Sequence, residues 1–192
     1  MRVLSADWVL PGREVRRSRT ARSSIEDGRI AAVGTIDELG AGDHFGEAAI
    51  VPGIVNAHSH LEYAVYAGFG DGLSFAPWLA THIERKARID RPQMEAIARL
   101  GAAQCLASGI TTVGDAAFTG ASAHACNELG LRAMVYLEVF GRDSSEAMKQ
   151  FEEKTEYVAS ALSDRVRPAC RRTRPTPARP RCTPPASPWA CR

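Results

Sequence analysis

From residue 49 onward the chain alternates short apolar runs with amphipathic stretches, and this alternation constrains the fold more than any other feature of the sequence. AIVPGIVNA (49–57) is too short for a helix and is bounded by polar residues, the pattern of a strand buried on both faces. Helical spacing follows over 76–88 (APWLATHIERKAR) and 92–107 (PQMEAIARLGAAQCLA), the second with Pro92 at its start and Gly109 beyond its end. ITTVGD (110–115) reads as a second strand, SAHACNEL (122–129) as a short helix stopped by Gly130, and LRAMVYLEVFG (131–141) as a third strand. A long helix over 144–163 places Ala147, Phe151, Val158 and Leu162 near one face, and RVRP (165–168) opens a fourth strand. Strands alternating with helices imply parallel β/α units, hence an α/β fold.

Residues 1–50 read differently, as short strands and turns. Asp27-Gly28 sits between apolar runs in SIEDGRIAAVG, a strong hairpin signal, so a small β unit precedes the β/α units. That order suggests the first part of a (β/α)8 barrel over residues 51–168. Residues 169–192 carry six arginines, six of the eleven prolines and no acid, with no Leu, Ile, Val, Met or Phe, so a disordered tail is expected there. No run of about 18 apolar residues and no secretory leader is present, which predicts a cytoplasmic chain with no membrane partner. Cys105 and Cys126 lie on helical patterns and read as buried thiols, whereas Cys170, Cys182 and Cys191 lack zinc-ligand spacing.

His58, Ser59 and His60 follow directly on the first buried run. Alternation along a strand sends the two imidazoles to one side and Ser59 to the other, so both rings can face one metal ion. The carboxyl ends of strands line the active site in parallel β/α folds, which is where such a pair belongs. A lone His-x-His is common by chance, and its setting in the sequence is what gives it weight.

PGIVNAHSHLEY resembles the first metal-binding motif of the amidohydrolase superfamily, IEDGRIAAVG resembles the hairpin of the small β-sandwich that leads into it, and GITTVGDAA resembles the segment around the second barrel strand. His60-Leu61-Glu62, Phe75 with Trp78, and Glu138 to Gly141 are most similar to the cytosine-deaminase-related branch, aminodeoxyfutalosine deaminases in particular. The resemblance covers residues 1 to about 168. It implies a (β/α)8 TIM-type barrel behind a small β-sandwich segment, one divalent ion, zinc or iron, held in part by His58 and His60, and hydrolytic deamination of a small aminated heterocycle. It further implies that a third histidine, an aspartate and a proton-shuttling glutamate come from later strands, for which this sequence has no matching positions. The catalytic residues are therefore unassigned, and the chain is expected to be an inactive amino-terminal portion, with open edges that favour a homo-oligomer.

Glu62, Trp78 and Glu138 are the candidate substrate-binding residues. Each also has a plainer reading: a solvated loop for Glu62, core packing for Trp78 and Phe75, and rim hydrogen bonding for Glu138 and Asp115. His82 and His124 read as surface or packing residues on helices. The basic tail offers a further possibility, a non-catalytic chain that binds nucleic acid through phosphates, although Trp189 is its lone aromatic residue. Regrouping the codons of Ala169 to Thr176 by one nucleotide permits Gly-Leu-Ser-Pro-His-Ala-Pro-Tyr, which resembles the third-histidine motif of the family, so a frameshift is the preferred account of the tail. Chloride or cyclic-amide hydrolysis on the same scaffold is the alternative chemistry.

Overall fold

The computed structural model describes residues 1–12, 21–140 and 143–172, and these fall into two compact units, Met1–Gly53 and Ile54–Arg192. The first unit is built of short strands: β1 (Arg2–Ser5), β2 (Trp8–Val9), β3 (Arg22–Glu26), β4 (Arg29–Gly34), a single turn α1 (Ile36–Leu39), β5 (Asp43–His44) and β6 (Ala49–Ile50). Its main sheet runs β4-β3-β1-β5, and β2 pairs with β6 separately. The predicted hairpin is there. Asp27 and Gly28 both adopt positive φ, +49° and +71°, as a two-residue turn matching the strand twist requires.

The second unit carries the β/α alternation. In order it contains β7 (Ile54–Ser59), a 3-10 segment (Leu61–Tyr66), α2 (Phe75–Lys86), α3 (Arg91–Ala107), β8 (Ile110–Ala117), α4 (Ala121–Leu129), β9 (Arg132–Val139), α5 (Ser144–Val158), a 3-10 turn (Ala159–Ala161) and β10 (Val166–Arg172). The four strands form one sheet in the order β10-β9-β8-β7, with every pairing parallel. Sequential parallel strands joined through helices are the repeating units of the expected barrel. The start of α3 is closed by a capping box in which Asp90 accepts from the Gln93 N–H and the Gln93 side chain caps the Asp90 N–H. The core lies between helices and sheet, where Met94, Ala98, Val113, Leu131, Leu137 and Val166 are buried together. Gly101 brings α3 against the backbone of the segment after β7, since a Cβ at this position would stand 2.6 Å from the Leu61 carbonyl oxygen.

Two expectations require correction. The 49–57 run is not one strand buried on both faces: Pro52 and Gly53 divide it into β6 and β7, and β7 leaves Ile54 53% and Val55 63% exposed. An apolar strand is buried only as far as neighbours cover it, and among the described residues β7 pairs with β8 alone. The expected tail also starts too early. Residues 169–172 continue β10 in register with β9, Ala169 opposite Tyr136 and Arg172 opposite Val139, because a parallel ladder is made by backbone groups and needs no apolar side chain. Residues 173–192, with Cys182, Cys191 and most of the basic stretch, lie outside the described residues. Cys105 and Cys126 are buried free thiols, as expected.

Candidate metal centre

β7 delivers both histidines to the carboxyl end of the sheet. The His58 and His60 rings stand edge to face, their centroids 5.1 Å apart, while the Ser59 hydroxyl turns to β8 and donates to Asp115 Oδ1 at 3.0 Å. His60 Nδ1 lies 2.9 Å from the carbonyl oxygen of Ala116. A carbonyl only accepts, so Nδ1 carries the proton and the Nε2 lone pair is left for a ligand. This is the arrangement in which metal-binding histidines are usually held. The His58 backbone N–H donates to Asn56 Oδ1, and its ring is solvent-exposed.

Two carboxylates, both fully buried, tie the segment after β7 to the end of β8. Asp115 Oδ1 accepts from the Leu61 N–H at 2.7 Å in addition to Ser59. Glu62 accepts from the Thr119 N–H through one oxygen, and from the Thr119 hydroxyl and Gly120 N–H through the other, at 2.8 to 2.9 Å. Burial pushes both carboxyls above their ordinary values, against the pull of these donors. Glu62 thus meets three internal donors from two residues, a role that the expectation of substrate contact did not include.

An aromatic and cationic wall flanks the histidines. Tyr63 stacks on His60 with centroids 5.0 Å apart and takes a 3.1 Å hydrogen bond from Lys86 Nζ. His82 is packed in the angle between Tyr63, Tyr66 and Trp78, and burial, with Lys86 and His60 nearby, holds its pKa below the usual imidazole value. It is a packing residue, one of the two roles expected of it. Trp78 donates from Nε1 to the Phe69 carbonyl and stacks on His82, while Phe75 beside it is 72% exposed. Lys86 Nζ stands 3.6 Å from the Phe118 ring centre, Lys154 Nζ 5.3 Å from it, and burial lowers the pKa of both amines. Glu138 is buried at the end of β9, and its carbonyl accepts from Lys154. His124 Nε2 is hydrogen-bonding distance from the Tyr157 carbonyl, away from this cluster's contacts.

Sequence reasoning missed Tyr63, Lys86 and Lys154. Tyr63 adjoins the His-x-His-Leu-Glu run and had a signal in its position; the lysines look like any helix-surface cation. Among the described residues no group of three or more His, Cys, Asp or Glu side chains is placed to hold a metal. The donor set therefore fits part of a divalent ion's shell, two imidazoles with one of them tautomerically set, and falls short of the three protein ligands of a catalytic zinc site.

These features define a class. Residues 49–184 match the amidohydrolase family, a span that runs past residue 168, and the chain belongs to that family. It is 32% identical over 152 residues to a 5-methylthioadenosine/S-adenosylhomocysteine deaminase of Nitratidesulfovibrio vulgaris, with 71% of this chain and 34% of the relative covered. A 5'-deoxyadenosine deaminase of Methanothermobacter thermautotrophicus is 34% identical over 116 residues, covering 58% and 27%. The chain spans about a third of the length of the curated relatives it matches. In structure it is similar to Helicobacter pylori aminofutalosine deaminase in complex with methylthio-coformycin, with a TM-score of 0.74 at 22% identity over 90% of this chain and 44% of that one. Atrazine chlorohydrolase TrzN from Arthrobacter aurescens TC1, complexed with zinc, gives 0.75 at 18% identity over 90% and 46%. These likenesses bear out the α/β fold as part of a TIM-type barrel. Among the described residues no helix is long and apolar enough to cross a membrane.

Proposed function

We propose that this chain supplies the first ligand pair, His58 and His60, of a metal-dependent hydrolase that deaminates an amino-substituted purine nucleoside or a related ring. The observation that carries this reading is the Nδ1 hydrogen bond of His60 to Ala116, which leaves Nε2 as the ligating nitrogen. The names of the deaminase relatives support the reaction class and an adenine-type substrate. A divalent ion held there by His58 and His60, zinc or iron, would supply Lewis acidity and lower the pKa of bound water.

The chain's own residues do the rest of what this reading asks of them. Trp78 and Glu138 contribute to the wall on which an aromatic ring is received. Glu62, fully buried, holds Thr119 and Gly120 in place beside the histidines and so acts on the site through the loop after β8. Tyr63 covers one face of His60, and the rings of Phe118 and Phe140 keep Lys86 and Lys154 beside them. The cell cytoplasm is the compartment we assign.

The test is zinc titration of the full chain beside His58→Ala, His60→Ala, followed by ammonia release from 5'-deoxyadenosine, methylthioadenosine and aminodeoxyfutalosine. Weak, histidine-dependent zinc binding without turnover is expected of the chain alone. Turnover is expected when the remaining strands are supplied as the carboxyl-terminal part of a related deaminase. Zinc binding unchanged in the double variant overturns the ligand assignment, and release of chloride from a chlorinated triazine in place of ammonia overturns the reaction class.

A further inference from the structure

The pairing of β7 with β8 is irregular around the first histidine. Asn56 faces Val113 and Ser59 faces Asp115, so three steps along β7 are matched by two along β8. The additional residue makes a bulge over Ala57 and His58, a feature that re-aims side chains and leaves the adjacent ladder incomplete. Gly114 permits it: a Cβ at that position would stand 2.7 Å from the Ala57 carbonyl oxygen, closer than any side chain tolerates.

Past the bulge a side chain does what the ladder does elsewhere. Asp115 Oδ1 accepts from Ser59, the residue before His60, and from the backbone N–H of Leu61, the residue after it. The next residue on β8, Ala116, provides the carbonyl that meets His60 Nδ1. We infer that Asp115 is a positioning residue for His60: by holding the Ser59 hydroxyl on one side of the histidine and the Leu61 backbone N–H on the other, it sets the Nδ1–H tautomer and so determines which nitrogen remains for a ligand. Asp115 is fully buried, so its removal leaves the Ser59 hydroxyl and the Leu61 N–H without the acceptor that now meets them. The step from tautomer to metal affinity rests on the proposed ligand role of His60, whereas the tautomer belongs to the metal-free chain.

The experiment uses the full chain labelled with 15N-histidine, metal-free at pH 8, with His60→Gln to assign the signal. Long-range 1H–15N spectra are expected to show His60 protonated at Nδ1 in the wild type. In Asp115→Ala the Nδ1–H form becomes the minor one; Ser59→Ala, which keeps the Leu61 bond, shifts it part of the way. Asp115→Asn preserves an acceptor oxygen and restores the wild-type tautomer. Zinc affinity follows the same order, falling on the order of 10–100-fold in Asp115→Ala and by no more than about threefold in Asp115→Asn. If Asp115→Ala does not fold, Ser59→Ala against Asp115→Asn decides the matter. A wild-type His60 protonated at Nε2, or an equal loss of the tautomer in the Asn and Ser59→Ala variants, overturns the inference. A wild type that binds no zinc, yet whose His60 tautomer tracks Asp115, overturns the metal reading alone.

Discussion

β7 and β9 are parallel strands of one sheet, and both carry apolar residues, yet they occupy opposite environments. β9 lies between β8 and β10, and its Ala133, Val135, Leu137 and Val139 are all buried. β7 stands at the edge of the described sheet, with Ile54 and Val55 more than half exposed. Of the candidate metal ligands, His58 sits on the less protected strand and His60 directly follows it. Packing holds β9 in place, whereas the end of β7 is held by specific polar contacts, Asp115 to Ser59 and Leu61, and Glu62 to Thr119 and Gly120. Position on an open strand is thus maintained by a few hydrogen bonds to buried carboxyl groups in place of a core.

The comparison predicts its largest effect in the core. Leu137→Ala is expected to lower the unfolding free energy by about 2–5 kcal/mol, and Ile54→Ala by less than about 1 kcal/mol, as read from urea midpoints. Similar losses at the two positions would show that β7 is as well covered as β9. Next in size is Glu62→Gln, which turns an amide N–H toward one of the N–H donors that now meet an oxygen. A cost of about 1–3 kcal/mol is expected, and a cost below about 0.5 kcal/mol would mean that the clasp does not hold the β7 end.

A pH effect separates the buried side further. Burial pushes the Cys126 thiol from its ordinary 9.0 up to about 12, so the unfolded chain loses this proton before the folded one. The stability this provides is complete below pH 9 and declines between about pH 9 and 12, by at most about 1.4 kcal/mol per pH unit. Melting temperatures of wild type and Cys126→Ala across that range should converge as the pH rises; parallel curves would count against a buried, protonated thiol. The smallest effect belongs to the open edge, where Val55→Thr should stay within about 0.5 kcal/mol of wild type. A larger loss would reveal that something covers β7.

Much of the fold could be read along the chain because its signals are local. The Asp27-Gly28 turn, the apolar periods of α3 and α5, Pro92 at the start of α3 and Gly130 after α4 act within a few residues of themselves. That His58 and His60 fall at the end of an apolar strand was legible for the same reason, although the bulge at Ala57 and His58 interrupts the regular alternation expected there. Lys86 and Lys154 were not, since nothing within a helical repeat tells which cation will be carried beneath an aromatic pair from two other strands. Asp115 was placed correctly at a strand end, but its partners are 54 and 56 residues away in the chain.

By itself the sequence determined the α/β alternation, the separate small β unit and the presence of a His-x-His pair at a strand end, because each depends on short-range periodicity and backbone preference. Only the tertiary structure decided that β7 is exposed, that the β10 ladder continues through Arg172, that a bulge seated against Gly114 takes in Ala57 and His58, and that His60 donates from Nδ1. Those outcomes depend on which strand lies beside which. Burial, ladder pairing and tautomer are all fixed by neighbours that the chain brings together from more than 30 residues away.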